Sequence, residues 1–398
     1  MKALPILPIE TPEFAADPNP YLEAARREHP WLARFSRGYV VHGYQAMCDL
    51  FFDDKNLVQG LGAIVDYYGV QGTMWARFME EIVISRSGPV HTRLRASVSR
   101  AFTPKRANAE RAMMQQVISD LLDEWLPKGY FDFAEFASYF PVSVICGLLG
   151  VSVDRIPTIR SAVEDHMSSL SMDPGAKALF LAAWEVLWEF ADSLVTEREA
   201  SGKQGEDSLL DALIEAKNNG ELDDVELRFM VLTVIIAGYD TSKNQLTMTM
   251  KLLLERPELY ARCATDKEFC GKIVDESLRH SAIATPFREA AHDFMYKDVQ
   301  FRKGDSIIMA TALGNRDPAA FSDPETFDTD RGNVKRHVAF GRGPHICLGM
   351  FIARNQLQEG LHLFAQRVPN LRLAGEVTWR PFMGAWGPKT LPIALSSN

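Results

Sequence analysis

One cysteine near the C-terminal end of the chain lies in a segment that could hold a metal. The segment runs His337-Val-Ala-Phe-Gly-Arg-Gly-Pro-His-Ile-Cys347-Leu-Gly349. Its three glycines permit positive φ and close approach of another group to the backbone. Apolar residues at a helical period follow from Leu348 onward, so we expect Cys347 at or just before a helix N-terminus, where free N–H groups favour a thiolate. A lone thiolate in such a loop suggests an axial ligand to a metal held in a large, flat group.

The string Phe340-x-x-Gly343-x-x-x-Cys347-x-Gly349 resembles the haem-binding signature of the cytochrome P450 family. A buried structural thiol is the ordinary fate of a free cysteine. The phenylalanine, the glycines and a histidine in register argue against that reading for Cys347. The resemblance implies haem b as cofactor, with Cys347 as axial ligand to the iron. It also implies that the remaining loop residues at the cofactor are Phe340, Gly341, Gly349 and His345.

Further basic residues match positions that bind the haem propionates in this family. His91 and Arg95 are four apart, share one face of a predicted helix, and both donate to anions. The family's usual acidic start of that motif is replaced here by Ser87 and Gly88. Arg288 and His345 match two other propionate-binding positions.

A second motif, Ala237-Gly238-Tyr239-Asp240-Thr241, lies inside a predicted apolar helix from Asp223 to Glu255. A glycine, an acid and a hydroxyl there break local propensity rules, which is typical of function. Thr241 can bond to the carbonyl of Ala237, and Gly238 would leave room for a diatomic ligand. The resemblance implies that Asp240 and Thr241 relay protons to iron-bound dioxygen. A threonine bonded only within its own helix is the alternative.

A third pattern resembles the family's buried scaffold. Glu276 and Arg279 are three apart on one helix face, and such a pair alone carries no information. Followed at the family's spacing by Arg331, it resembles the Glu-Arg-Arg triad that supports the cysteine loop without taking part in catalysis.

Several apolar segments could enclose a substrate. The stretch 57–88 is glycine-dotted and apolar, and it either forms a satellite core or, as the resemblance implies, roofs the pocket. Two helices in 158–199, broken at 172–175, match the family's lid, and a terminal hairpin near 380–393 would dip into the pocket. The candidate pocket residues are Val234, Ala237, Ile283, Ala284, Thr285 and Met383.

Composition limits the partners. The chain has 398 residues and a net charge of −9, which argues against nucleic acid, and its five scattered cysteines fit neither a disulfide framework nor a zinc site. We find no signal peptide or membrane anchor, so we expect a cytoplasmic, bacterial protein. The stretch 91–111 holds six Lys/Arg and one acid, and is either a solvated face or a docking patch for an acidic redox protein. The candidate patch residues are Arg100, Lys105, Arg106 and Arg342.

The resemblance spans nearly the whole chain and implies one domain, residues 1–398, with the mainly α, triangular cytochrome P450 fold. Its small β-rich lobe would come mainly from 31–56, 284–312 and 371–396. The expected activity is hydroxylation of a hydrophobic molecule by O2, with electrons from NAD(P)H through ferredoxin reductase and ferredoxin, by a monomer. A peroxide-driven or rearranging haem-thiolate enzyme and a non-catalytic gas-binding haem protein are the alternatives.

Overall fold

The computed structural model describes residues 4–201 and 208–395, and helices dominate this part of the chain. The α-helices are α1 (Pro12–Ala16), α2 (Asn19–Glu28), α3 (Tyr44–Phe51), α4 (Gly62–Tyr68), α5 (Met74–Glu81), α6 (Gly88–Ser99), α7 (Pro104–Ala109), α8 (Arg111–Trp125), α9 (Phe133–Leu149), α10 (Ile156–Met167), α11 (Lys177–Ala200), α12 (Leu209–Asn218), α13 (Asp224–Leu254), α14 (Pro257–Thr265), α15 (Lys267–His280), α16 (Thr311–Gly314) and α17 (Met350–Arg367). Among the helices so described, none has the length and apolarity needed to span a bilayer.

The strands form small sheets. They are β1 (Leu32–Phe35), β2 (Gly38–Val41), β3 (Leu57–Gln59), β4 (Tyr130–Asp132), β5 (Phe287–Ala290), β6 (Phe294–Tyr296), β7 (Val299–Phe301), β8 (Ser306–Met309), β9 (Leu371–Leu373), β10 (Thr378–Trp379), β11 (Pro388–Thr390) and β12 (Pro392–Leu395). The largest sheet has the order β1-β2-β8-β5-β3, with β2 and β8 parallel and the other neighbours antiparallel.

The three stretches predicted to supply most strands do so. Within the described residues, only β3 and β4 lie outside 31–56, 284–312 and 371–396, and position 396 itself lies beyond those residues. β4 is a short strand that pairs with β12. Strand pairing therefore links segments near both ends of the chain to segments that lie between them in the sequence.

The long predicted helix is α13, and local side chains fix its start. The Asp223 carboxylate accepts hydrogen bonds from the N–H groups of Val225 and Glu226, and the Glu226 carboxylate accepts one from the Asp223 N–H. Pro257 opens the next helix three residues after α13 ends. α13 packs most extensively against α9 and is buried along most of its length. Because most of α13 is buried, an accessible stretch of this helix indicates a place where another group can bind.

The roof segment and the predicted lid helices pack into one apolar core with the first half of α13. Short turns at 168–176 separate α10 from α11, close to the predicted break. The rings of Trp75 and Phe180 lie 4.6 Å apart between centroids, and those of Phe78 and Trp184 lie 4.8 Å apart. The large aromatic residues of the roof are thus core residues that hold roof and lid together.

Candidate functional site

Cys347 lies at the end of a loop that is closed by backbone hydrogen bonds. Its N–H donates to the carbonyl of Phe340 at 2.8 Å, and the N–H of Ile346 donates to the carbonyl of Gly343 at 3.1 Å. α17 begins at Met350, two residues later than the periodicity predicted. Cys347 therefore stands just before a helix N-terminus, as expected.

The thiol of Cys347 is exposed, although protein atoms crowd it from several sides. Desolvation by these surrounding protein atoms raises the pKa of the thiol, while the N–H of Gly349 and the guanidinium of Arg95 act in the opposite direction. The helix N-terminus does not by itself produce the thiolate that the sequence suggested. A metal cation at the sulfur would do so, because coordination deprotonates a thiol. A sulfur that is accessible but has protein atoms on several sides is typical of a side chain that faces an enclosed space.

The three glycines of the loop have different reasons to be glycine. Gly341 and Gly343 have φ of +69° and +72°, which favours glycine at both positions. At Gly343 a Cβ would lie 2.7 Å from the carbonyl oxygen of Phe51, so this glycine allows close packing against the end of α3. At Gly349 φ is −81°, and a Cβ would meet no protein atom within 4 Å. The approach of a flat group to these glycines stays a prediction.

Four basic side chains, which we call the cation cluster, converge beside this loop: His91, Arg95, Arg288 and His345. The two imidazole rings lie 4.2 Å apart between centroids. Arg95 Nη2 donates to a carbonyl of the cysteine loop at 2.7 Å. Arg288 is 5% exposed, and its Nη1 donates to the carbonyl of the preceding residue at 2.9 Å. One acid, Asp54, stands near them, with Oδ2 at 3.7 Å from Nε2 of His345.

The cation cluster has unused donors, and its positive charge comes from two guanidinium groups that face one acid. Burial, followed by the neighbouring His91 and Arg288, lowers the pKa of His345 to about 3. Burial also lowers the pKa of Arg288 to about 10, with Asp54 acting against it. Nε2 of His345 is buried without a hydrogen-bond partner among the described residues. A buried group of cationic donors with one nearby acid is suited to bind a doubly charged anion.

The middle of α13 presents an accessible face. Val234, Gly238 and Thr241 are half-buried and Ala237 is exposed, whereas most of their neighbours on the helix are covered. Spacings of three, four and seven residues place them on one side of the helix. Thr241 Oγ1 donates to the carbonyl of Ala237 at 2.8 Å, which confirms the predicted bond. The small side chains leave a surface on which a flat group can lie.

Two residues of the same motif are engaged elsewhere. Asp240 is fully buried, and its carboxylate accepts hydrogen bonds from Arg380 at 2.8 and 3.2 Å. The acid is thus bound to the C-terminal hairpin instead of standing free beside Thr241. At Gly238 a Cβ would lie 2.7 Å from Cδ1 of Ile145 on α9. The missing side chain lets the two helices approach here, and the room for a diatomic ligand stays a prediction.

These features fit an iron protoporphyrin. The exposed sulfur of Cys347 offers an axial ligand, and the unpaired donors of the cation cluster suit two propionates. The accessible face of α13 offers a flat surface of small side chains. Cys347 would therefore hold the iron, and His91, Arg95, Arg288 and His345 would hold the propionates.

Glu276, Arg279 and Arg331 form a buried ion network, which we call the Glu276 network. Arg279 donates to Glu276 through Nε at 3.0 Å and Nη2 at 2.5 Å, and Arg331 donates through Nε at 3.3 Å. The other guanidinium nitrogens donate to backbone carbonyls, most of them in residues 322–326. The network ties α15 to the segment that leads into the cysteine loop, as its predicted scaffold role requires.

The pocket residues predicted in the C-terminal half lie in one unit. Segment 283–285 pairs with the hairpin at 383–386 through backbone hydrogen bonds of 3.1 and 2.8 Å. The Thr285 hydroxyl is used in this pairing, because it donates to the carbonyl of Gly384 and accepts from its N–H. Burial in the apolar core leaves little surface to two members of this unit, Ile283 and Met383, and Ala284 is half-buried. Two further candidates lie on the accessible face of α13: Val234 and Ala237.

The basic stretch at 91–111 offers less free charge than its composition predicts. Two of its arginines are neutralised in ion pairs with glutamates, and another faces the cysteine loop. Of the candidate patch residues, Arg100 and Lys105 are exposed, and Arg106 is half-buried. Arg342 donates to a backbone carbonyl and to a tyrosine hydroxyl. Arg100 and Lys105 are therefore the exposed members of the candidate patch.

Sequence reasoning overlooked two residues that position the site. Asn315 accepts the N–H of Val338 at 2.8 Å and donates to the carbonyl of Leu278 at 3.3 Å, so it links α15 to the cysteine loop. Its place in an Asn-Arg-Asp-Pro string was a usable signal. Arg380 binds Asp240 from 140 residues away, and no local pattern announces that pairing.

Comparison with known proteins identifies the family of the chain. The family model described as Cytochrome P450 matches residues 39–368. Luteothin monooxygenase of Streptomyces thioluteus is 33% identical over 99% of this chain and 97% of its own length. Mycinamicin IV hydroxylase/epoxidase of Micromonospora griseorubida is 32% identical over 78% of this chain and 79% of its own.

The solved structure of the bacillaene polyketide synthase cytochrome P450 PksS of Bacillus subtilis 168 superposes with a TM-score of 0.85. It is 27% identical and covers 98% of this chain and 99% of its own. The helical body with its small β-rich lobe is therefore the cytochrome P450 fold. Relatives of this kind are oxygenases, and the family implies a haem with a thiolate-bound iron. The chain belongs to the cytochrome P450 family.

Proposed function

We propose that this chain inserts one oxygen atom from O2 into a hydrophobic small molecule, with electrons from NAD(P)H delivered by a ferredoxin reductase and a ferredoxin. The observation that carries the proposal is the exposed thiol of Cys347 beside the unsaturated cation cluster. A dianionic haem with a thiolate ligand suits that combination. When bound, the haem iron supplies the binding and activation of O2.

The protein itself would hold a proton donor near the iron and would offer the substrate an uncharged surface. The Thr241 hydroxyl lies on the accessible face of α13 and would donate or pass on a proton there. Asp240 can exchange protons with that face only when its ion pair with Arg380 loosens. We therefore assign Thr241 the direct role and Asp240 a role that depends on Arg380.

The substrate we propose is a neutral, apolar molecule. The relatives support this class by their names, which refer to luteothin, to mycinamicin IV and to polyketide biosynthesis. The accessible face of α13 is lined by small uncharged residues, which offers no partner for a charged group. Products of polyketide synthesis are thus the first compounds to test.

The proposed electron donor is an acidic ferredoxin that docks near Arg100 and Lys105. Both side chains are exposed, and both follow α6, which carries the His91 and Arg95 contacts of the cation cluster. Complementary charge would steer the donor to this side of a single-domain protein.

Thr241→Val tests this reaction, because it removes the hydroxyl and keeps the shape. With ferredoxin, reductase and a turned-over substrate, we expect product formed per NAD(P)H to fall by up to about 100-fold, because one positioned proton donor typically contributes roughly 100-fold or more to the proton-transfer step. Hydrogen peroxide should rise correspondingly. Thr233→Val is the matched control, since Thr233 makes the same bond to a carbonyl of α13, at 2.7 Å, two turns earlier.

A peroxide-driven reaction is the second candidate, because Arg380 holds the acid of the proton relay in an ion pair. Such an enzyme would form product from hydrogen peroxide without NAD(P)H, and Thr241→Val would leave its yield unchanged. Product formation that requires the ferredoxin and depends on Thr241 would exclude this candidate.

A further inference from the structure

A histidine of the predicted lid occupies a position that its helix otherwise gives to the apolar core. On α10, Ile159, Ala162 and Val163 are buried, and His166 continues the same face with 3% exposure. Three aromatic rings surround the imidazole, at centroid distances of 6.4, 6.0 and 6.1 Å: Trp75, Phe78 and Trp184. A polar ring thus stands inside an aromatic enclosure formed by the roof and the lid.

Polar atoms of this enclosure lack hydrogen-bond partners. His166 Nδ1, Trp75 Nε1 and Ser169 Oγ are all buried, and none is paired within the described part of the chain. Buried polar atoms are nearly always paired, because an unpaired one destabilises the fold. A buried indole N–H in particular usually has an acceptor. Three such atoms on neighbouring elements indicate a ligand group that completes them.

The enclosure suits a neutral oxygen function. Its rings carry no charge, and burial lowers the pKa of His166 to about 4, so the imidazole is neutral near pH 7 and offers one donor and one acceptor. Burial is the cause of this shift, with no charged group acting beside it. Of the two carboxylates of α10 close to His166 in sequence, Glu164 is already bound by Lys243 and by the hydroxyl of Tyr239. A carboxylate or ammonium ligand would be desolvated here without a counter-ion. A ketone, hydroxyl or ether oxygen would meet the indole and imidazole donors without that cost.

The position of the enclosure along α13 sets a distance from the site of oxidation. Phe78 and Trp184 both contact Phe229, at centroid distances of 5.4 and 6.4 Å. Phe229 precedes Ala237 by eight residues, which is about 12 Å along a helix axis. A ligand that spans both places is extended and apolar between its ends.

We propose that His166, with Trp75 and Ser169, binds a neutral oxygen function at one end of an extended apolar substrate whose other end is oxidised beside Thr241. The inference rests on the proposed function and makes it more specific. It predicts that the enzyme prefers substrates with a hydroxyl, ketone or ether oxygen about 10–12 Å from the oxidised carbon, a span that follows from the helical rise.

Two steroid probes of rigid, extended shape test the proposal: 5α-androstan-3-one, with one ketone, and 5α-androstane, its hydrocarbon. Their dissociation constants are measured by equilibrium dialysis with the haem-loaded full chain. The variants are His166→Phe, which removes both ring nitrogens, and His166→Gln, which keeps a donor and an acceptor. Tyr68→Phe is the matched control, because the Tyr68 hydroxyl lies in the same roof but is already bonded to two backbone carbonyls.

We expect the wild type to bind the ketone about 10- to 100-fold more tightly than the hydrocarbon, the effect of one hydrogen bond to an otherwise unpaired buried group. His166→Phe should reduce this ratio to within about 3-fold, while His166→Gln and Tyr68→Phe retain most of it. Melting temperature gives an independent readout. Tyr68→Phe should lower it by about 1–3 °C, whereas His166→Phe should not lower it, since that change removes unpaired atoms.

No preference in the wild type, or no binding of the ketone up to its solubility limit, would overturn the proposal. So would an unchanged ratio in His166→Phe together with a lower melting temperature, which would show a structural role such as bonding to buried water. Haem content and the spectrum of the carbon monoxide complex are recorded for every variant. If these stay as in the wild type, the proposed function survives while this inference fails.

Discussion

The Glu276 network and the cation cluster are both buried groups of charged side chains, but their donors are used differently. In the Glu276 network each nitrogen of both guanidinium groups has a carboxylate or carbonyl acceptor. In the cation cluster, Arg95 and Arg288 each make one hydrogen bond to a backbone carbonyl, and His345 Nε2 makes none. Asp54 is the acid beside them, and it is partly exposed.

The difference separates structural from ligand-binding charge. A saturated buried network stabilises the fold, and removing one partner leaves an uncompensated charge. An unsaturated cluster costs stability in the protein alone, so its presence indicates a ligand that completes it. Both clusters border the cysteine loop, and we propose that the Glu276 network holds the loop in place while the cation cluster binds its cofactor.

The largest expected effect comes from a substitution in the Glu276 network. Glu276→Gln should destabilise the haem-free protein by about 3–5 kcal/mol, because two buried arginines lose their counter-charge. Urea unfolding followed by circular dichroism measures the free energy of unfolding. Glu81→Gln is the control, since its ion pair with Arg77 is exposed and should contribute about 1 kcal/mol or less. A loss in Glu276→Gln no larger than in the control would contradict the structural role.

The second effect comes from a substitution in the cation cluster. It should change haem binding more than the stability of the haem-free protein. Arg288→Leu should weaken haem binding about 10- to 100-fold, as expected for the loss of a charge-assisted hydrogen bond to a propionate. It should leave the unfolding free energy of the haem-free protein unchanged or higher. Haem transfer to an excess of apomyoglobin measures the first quantity and urea unfolding the second. Unchanged haem affinity with a destabilised protein would assign Arg288 to the scaffold.

The smallest expected effect concerns a buried imidazole that belongs to neither cluster. The pKa of His166 is about 4 when folded, against about 6.5 when unfolded, so the unfolded chain binds the extra proton as pH falls. Its contribution to stability is complete above pH 6.5 and is lost as pH falls towards 4.

Between pH 7.5 and 5.5 the haem-free wild type should therefore lose about 1.4 kcal/mol more stability than His166→Phe, one pH unit of one-proton linkage. Urea unfolding of both proteins at the two pH values measures the difference. Equal losses in the two proteins would show that His166 titrates normally in the folded chain.

The sequence predicted what local signals or ordered motifs encode. The bounds of α13 followed from the cap at Leu222-Asp-Asp and from Arg256-Pro257 after its end, and the structure differs by one residue at each end. The Glu276 network could be predicted because Arg331 follows Glu276 and Arg279 at the spacing typical of the family, which identifies the third member of the network. Short strands such as β3 and β4 could not be predicted, since three residues carry too little pattern to distinguish a strand from a loop.

Long-range contacts at the site left no signal in the sequence. A Cβ at Gly343 or Gly238 would lie 2.7 Å from an atom of Phe51 or Ile145, and neither neighbour is near in the sequence. The binding of Asp240 by a distant hairpin likewise left no local trace. Tertiary packing decides such details, and one sequence does not contain it in readable form.

The central claim is that Cys347 is the thiolate ligand of a haem iron. The absorption spectrum of the reduced protein under carbon monoxide, recorded beside that of Cys347→His, tests it most directly. We predict a strongly red-shifted Soret band in the wild type that disappears in the variant even where haem is retained. The same band in both proteins, or a wild-type spectrum typical of histidine ligation, would contradict the claim and the roles assigned around it.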